Sequence, residues 1–128
     1  MTTRLEITSC EVKEDTVQFS INSESLAKDL ALEPSGQVLV DSDSLSFIYI
    51  LETEDSFIYV SIPKDYWSDM KTVLTDGKDA VLQLSHHGSI PMVGLKDELE
   101  YLIQNISGNA NYGSEMMNSV EEIFQPVK

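Results

Sequence analysis

Two adjacent histidines, His86 and His87, are the first residues in this chain with the chemistry of a base, a pH-responsive group or a metal ligand. Their spacing argues against a shared metal ion. Neighbouring residues on a strand point to opposite faces, no H-E-x-x-H is present, and no cysteine set completes a ligand shell. With Gly88 behind them they read as a solvated turn. Asp41-Ser42-Asp43 is the second candidate, because it opens like a calcium loop and Glu52 falls at the twelfth position counted from Asp41. The remainder of that pattern fails: Ser46 stands where the sharp turn needs glycine, Leu45 stands where an oxygen ligand is needed, and Phe47 to Leu51 is too apolar to wrap an ion. The corner reads as side chains bonding nearby backbone N–H groups, with a divalent ion held by Asp41, Asp43 and a distant carboxylate as the alternative.

The third candidate is the loop from Gly108 to Gly113. Asn109 and Asn111 offer paired amide donors and acceptors, Tyr112 offers an amphipathic ring, and binding residues often sit on loops held by rigid elements. Gly and Asn also tolerate the positive φ that a helix-to-helix connection requires, so the same composition has a structural reading. Nucleophilic catalysis has little to work with. Cys10 has no basic neighbour to lower its pKa, and the chain carries no G-x-S-x-G, no P-loop and no G-x-G-x-x-G. Its 22 acidic residues make any chosen carboxylate pair uninformative. No catalytic residue, metal ligand or cofactor is assigned, and the expected binding residues are Asp41, Asp43, Asn109, Asn111 and Tyr112.

These residues hang on a legible framework. Phe47-Ile48-Tyr49-Ile50-Leu51 and Phe57-Ile58-Tyr59-Val60, separated by the polar break Glu52 to Ser56, predict two adjacent antiparallel strands. The first is apolar on both faces and belongs at the centre of a sheet. Leu5 and Ile7, then Val17, Phe19 and Ile21, alternate with polar residues around Lys13-Glu14-Asp15 and predict an earlier hairpin. Pro34-Ser35-Gly36 reads as a break, Gln37 to Val40 as a short strand, Ala80 to Leu84 as a strand, and Ile90 to Leu95 as an edge strand weakened by Pro91 and Gly94. Helical spacing appears three times: Tyr66, Trp67, Met70, Val73 and Leu74 after Pro63; Leu99, Leu102, Ile103 and Ile106; and Met117, Val120, Ile123 and Phe124, with Pro126 as the stop. The expectation is a single α+β domain over 1–128: a mainly antiparallel sheet of about six strands with three helices, two of them C-terminal.

Eight Lys and Arg against 22 Asp and Glu give a formal charge of −14, which works against binding a nucleic-acid backbone. It favours steering toward a basic protein patch, or mimicry of nucleic acid. A single cysteine points to a reducing compartment. No run approaches the roughly 20 apolar residues that span a bilayer, so no membrane partner is expected and the expected location is the cytoplasm.

The blocks Leu39-Val40-Asp41-Ser42-Asp43, Phe47 to Leu51, Pro63 with Tyr66-Trp67, and Glu98 to Gly113, ending in the rare string N-I-x-G-N-x-N-Y-G, resemble the YjbL-type family of small acidic proteins of Bacillus and Staphylococcus. The resemblance implies a Gram-positive cytosolic protein and supplies no mechanism. The function expected from the residues is a non-enzymatic acidic protein that binds a protein partner with a basic patch. The alternative from a different class is a small divalent-metal-dependent hydrolase or transferase using Asp41 and Asp43.

Overall fold

The computed structural model describes residues 2–124; Pro126, expected to end the last helix, lies outside them. Among the described residues the chain runs β1 (Thr2–Glu6), β2 (Ser9–Val12), β3 (Thr16–Ile21), β4 (Glu33–Asp41), β5 (Ser46–Glu52), β6 (Phe57–Pro63), α1 (Trp67–Asp76), β7 (Asp79–Leu84), β8 (Gly88–Pro91), α2 (Leu95–Ile106) and α3 (Ser114–Phe124). The class is α+β with the three expected helices. The single six-stranded sheet is replaced by two four-stranded sheets, ordered β1-β6-β5-β4 and β2-β3-β7-β8. Four of the six strand pairings are antiparallel, while β1–β6 and β3–β7 are parallel.

The difference begins at the N-terminus. Leu5 does not share a hairpin with Phe19: β1 runs beside β6, and only β2 pairs back onto β3. The handover occurs at Ile7 and Thr8, whose N–H groups donate to Ser61 O at 2.9 Å in the first sheet and to Ser20 O at 2.8 Å in the second. Neither glycine nor proline marks this change of sheet, so the alternating pattern reads as one strand.

The predicted central hairpin forms as β5 and β6, with Tyr49 opposite Val60 and Leu51 opposite Ile58. Phe47, Tyr49 and Leu51 face the main core, together with Val60, Ile62, Phe19, Leu82 and the buried helix residues. Ile48 and Ile50 point to the other face of the sheet, by strand alternation, and lie outside that core. Pro34-Ser35-Gly36 does not break the chain. It is absorbed as a bulge in β4, the edge strand of the first sheet, where a proline and an unpaired residue are tolerated.

That bulge meets the second sheet. Gly36 and Gly94 both take positive φ, and a Cβ placed on Gly94 would stand 2.8 Å from Gly36 O, so the two backbones approach at a distance only glycine permits. Tyr49 stabilises this seam by donating its hydroxyl to Val93 O at 2.6 Å, and its burial pushes the phenol pKa up to about 12. Ile90 to Leu95 is accordingly not one strand: β8 stops at Pro91, and Leu95 opens α2.

The helices close the core. Pro63 ends β6 instead of opening a helix, a 3₁₀ turn over Lys64–Tyr66 follows, and α1 stops at Gly77 in the left-handed conformation. Trp67 donates its indole N–H to Ile62 O at 3.1 Å, and its ring packs at a tilt with centroids 5.0 Å from Phe47 and 5.9 Å from Phe124. Phe124 sets the rotation of α3. Residues four apart share a helix face, so Met116 and Val120 are buried with it, whereas Met117 and Ile123 move to the margin. In α2 the buried stripe is Leu95, Leu99, Ile103 and Ile106, with Leu102 beside it.

Candidate functional site

Asp41 ends β4 and enters a four-residue turn whose last residue, Leu45, takes φ 49°. Its carboxylate is committed within the fold. Arg4, the sole arginine of the chain, reaches it at 2.8 Å after donating through Nε to the buried Ser61 Oγ at 2.6 Å. Ser44 donates to it through both its hydroxyl and its N–H. The Ser44 hydroxyl first, and the Arg4 guanidinium second, hold the Asp41 carboxyl below its ordinary value of 3.8. The contact is the one ion pair among the described residues, and it ties β1, β6 and the β4–β5 turn together. Asp43 lies in the same turn, exposed. No group of three His, Cys, Asp or Glu among the described residues is arranged to hold a metal ion.

Asn109, Asn111 and Tyr112 are neighbours in a 3₁₀ turn between α2 and α3. Asn109 Oδ1 accepts the Asn111 N–H at 3.0 Å, Gly108 N–H donates to Glu121 Oε2 at 2.6 Å, and the Tyr112 ring packs against the core. Asn109 and Tyr112 thus serve the connection itself, and Asn111 keeps an exposed side chain. No hydrogen bond among the described residues links this loop to the Asp41–Ser44 turn.

His86 and His87 do occupy a turn, but His87 is not solvated on all sides. Ala27 O can only accept, so in the neutral ring Nε2 carries the proton and donates to it at 2.7 Å, while Nδ1 accepts from Ser23 Oγ at 2.8 Å. Ser23 is fully buried and also accepts the His86 N–H at 2.8 Å. The pair straps the irregular segment between β3 and β4 to the β7–β8 turn. Cys10 is half-buried, and burial followed by the Asp69 carboxylate pushes its thiol up to about 12, the reverse of an activated nucleophile.

A different surface emerges on the outer face of the first sheet. The register places Glu33 directly opposite Glu52 and Glu52 opposite Phe57; one strand position pair along, Ile50 faces Tyr59; beyond that, Leu39, Ile48, Ser61 and Glu6 form a row. Leu39 and Phe57 are 41% and 46% exposed. Like charges directly opposed across two strands repel, and neither glutamate has a cationic partner among the described residues. Glu33, Glu52 and Glu54, with Ala31 and Thr53, line a hollow of about 320 Å³. Ile48 and Ile50 are only 5% exposed and Arg4 lies opposite Tyr59 on the same face, so the accessible features are the acidic hollow, Phe57 beside it and Leu39 further along β4. The sequence raises Glu52 only as the twelfth position of a failed calcium pattern and gives no sign of Glu33, which precedes what looks like a chain break; only the pairing register brings them together.

A family model described as a family of unknown function, UPF0738, matches residues 5–124. The chain belongs to the UPF0738 family. A UPF0738 protein of Geobacillus sp. is 55% identical over 93 residues, covering 71% of this chain and 73% of the relative. UPF0738 proteins of Bacillus cereus and Bacillus mycoides are 44% and 43% identical over 126 residues, covering 97% of this chain and 99% of each relative. The resemblance read from the loop motif therefore holds as membership of a small family in Bacillus and Geobacillus, without the YjbL label or the extension to Staphylococcus. No solved structure matches the chain. No helix among the described residues is long and apolar enough to cross a membrane.

Proposed function

We propose that this chain is a non-enzymatic cytosolic binding protein whose partner is a protein segment combining Arg or Lys with apolar side chains, received on the outer face of the first sheet. The observation that supports it is the Glu33–Glu52 pair, two carboxylates held opposite each other beside a hollow and next to exposed Phe57. A guanidinium entering the hollow would relieve that repulsion while the apolar neighbours of the arginine cover Phe57 and Leu39. The −14 charge adds long-range steering toward a basic surface. Asp41 takes no part in this reading, because Arg4 and Ser44 already occupy its carboxylate.

The test is fluorescence anisotropy with a synthetic peptide that alternates leucine and arginine. Saturable binding should weaken as salt rises, since exposed charges are screened. Glu33→Gln with Glu52→Gln should reduce the affinity roughly fivefold, the size of one surface charge interaction. Equal affinity for wild type and variant, or for a leucine–glutamine peptide, would remove the proposal.

A further inference from the structure

A second cavity lies elsewhere, away from the acidic hollow. It has a volume of about 500 Å³ and sits between the C-terminal end of α1, the β7–β8 pair and the start of α2. Its wall is largely apolar: Val73, Val81, Met92, Val93 and Leu95 contribute to it. Pockets of this size that combine an apolar lining with a few charged groups suit small organic ligands.

Two lysines, Lys78 and Lys96, stand at its rim. In a chain with eight cationic residues against 22 acids, two ammonium groups on one cavity offset its two aspartates, Asp79 and Asp97, and make this spot less acidic than the chain as a whole. The two belong to one mouth. Lys96 Nζ stands 3.8 Å from where a Cβ on Gly77 would be, and Gly77 is the residue directly before Lys78. Lys78 Nζ is held by Lys13 O at 2.6 Å, which fixes its position and leaves its other two protons free to donate. Lys96 has no salt-bridge partner among the described residues. Asp79 and Asp97 also line the cavity, so a ligand with dispersed negative charge would meet repulsion there and a single compact anionic head at the two ammoniums would meet the least.

We propose that this cavity binds a small amphipathic anion, with a carboxylate or phosphate head at Lys78 and Lys96 and a short apolar body against Val81, Met92 and Leu95. The site is independent of the outer sheet face, so either can fail without the other.

The experiment is an amide NMR titration of the full chain with octanoate and with octyl phosphate, using octylammonium as a control of equal tail and opposite charge. Saturable shifts should concentrate at Val81, Met92, Leu95 and Lys96, and the stronger of the two anions identifies the head group. Lys96→Gln, an exposed and structurally mild change, should weaken anion binding about tenfold, the effect of one charge-assisted contact. Lys78→Gln with Lys96→Gln should abolish it. Octylammonium binding as tightly as the anions, or no saturable shift with either anion, would overturn the assignment. So would a Lys96→Gln protein that loses stability and keeps its anion affinity, because the ammonium would then serve only the C-terminal end of α1.

Discussion

Asp41 shows how a residue with chemical potential is absorbed by the fold. A carboxyl whose folded pKa is depressed contributes stability above its unfolded value and loses that contribution as pH falls through the folded value. For Asp41 the unfolded reference is 3.8 and the shift is downward, so the contribution is present in full at neutral pH and is lost as the pH falls below 3.8 through the folded value. Asp41→Asn should therefore lower the melting temperature slightly at pH 7, and the two proteins should converge at the acid end of a pH series. A difference of unchanged size across the whole acid series would mean that the contact does not act through ionisation. His87 makes a stronger claim at the same scale. Removing its ring leaves the buried Ser23 hydroxyl without its acceptor and frees the Ala27 carbonyl. His87→Ala should lose about 2 kcal/mol in denaturant unfolding and speed amide exchange at Leu26 and Leu30, whose N–H groups bond within the strapped segment. A loss under about 0.5 kcal/mol would place His87 among ordinary surface residues.

At the scale of elements, the close approach of Gly36 and Gly94 holds the β4 bulge against the turn between β8 and α2. Gly94→Ala would set a methyl group against Gly36 and require a positive φ of an L-residue, so it should destabilise by roughly 1–3 kcal/mol, measurable by chemical denaturation. A neutral result would show that the two loops separate freely. The same seam explains what the sequence could and could not reveal. Strands β3, β5, β6 and β7 and all three helices are legible because each carries a strong period of apolar residues over a sufficient length. The assignment of strands to sheets is not, because β1 and β2 are a single stretch of chain divided only by which neighbour Ile7 and Thr8 bond. Nor is the Glu33–Glu52 pair, which depends on a bulge that converts Pro34-Ser35-Gly36 from a break into an edge strand. The Asn109–Tyr112 loop was conspicuous in the sequence for its composition, and the structure spends most of that composition on the turn.

For the whole molecule, one ion pair among the described residues and a charge of −14 leave a surface with little internal neutralisation. Such a field would speed encounter with a basic partner, but only a specific contact gives selectivity. The proposed contact is at Glu33 and Glu52, where stability and binding would be opposite readouts of the same two residues. Sites built for a partner often hold groups that weaken the isolated fold. The most direct measurement is therefore a set of four melting curves: wild type and the Glu33→Gln, Glu52→Gln double variant, each with and without the leucine–arginine peptide. The variant alone should melt about 2 °C higher, because a repulsive cross-strand pair has been removed, and it should lose most of the peptide-induced rise seen in wild type. A variant that melts no higher than wild type, and gains as much from the peptide, would contradict the account.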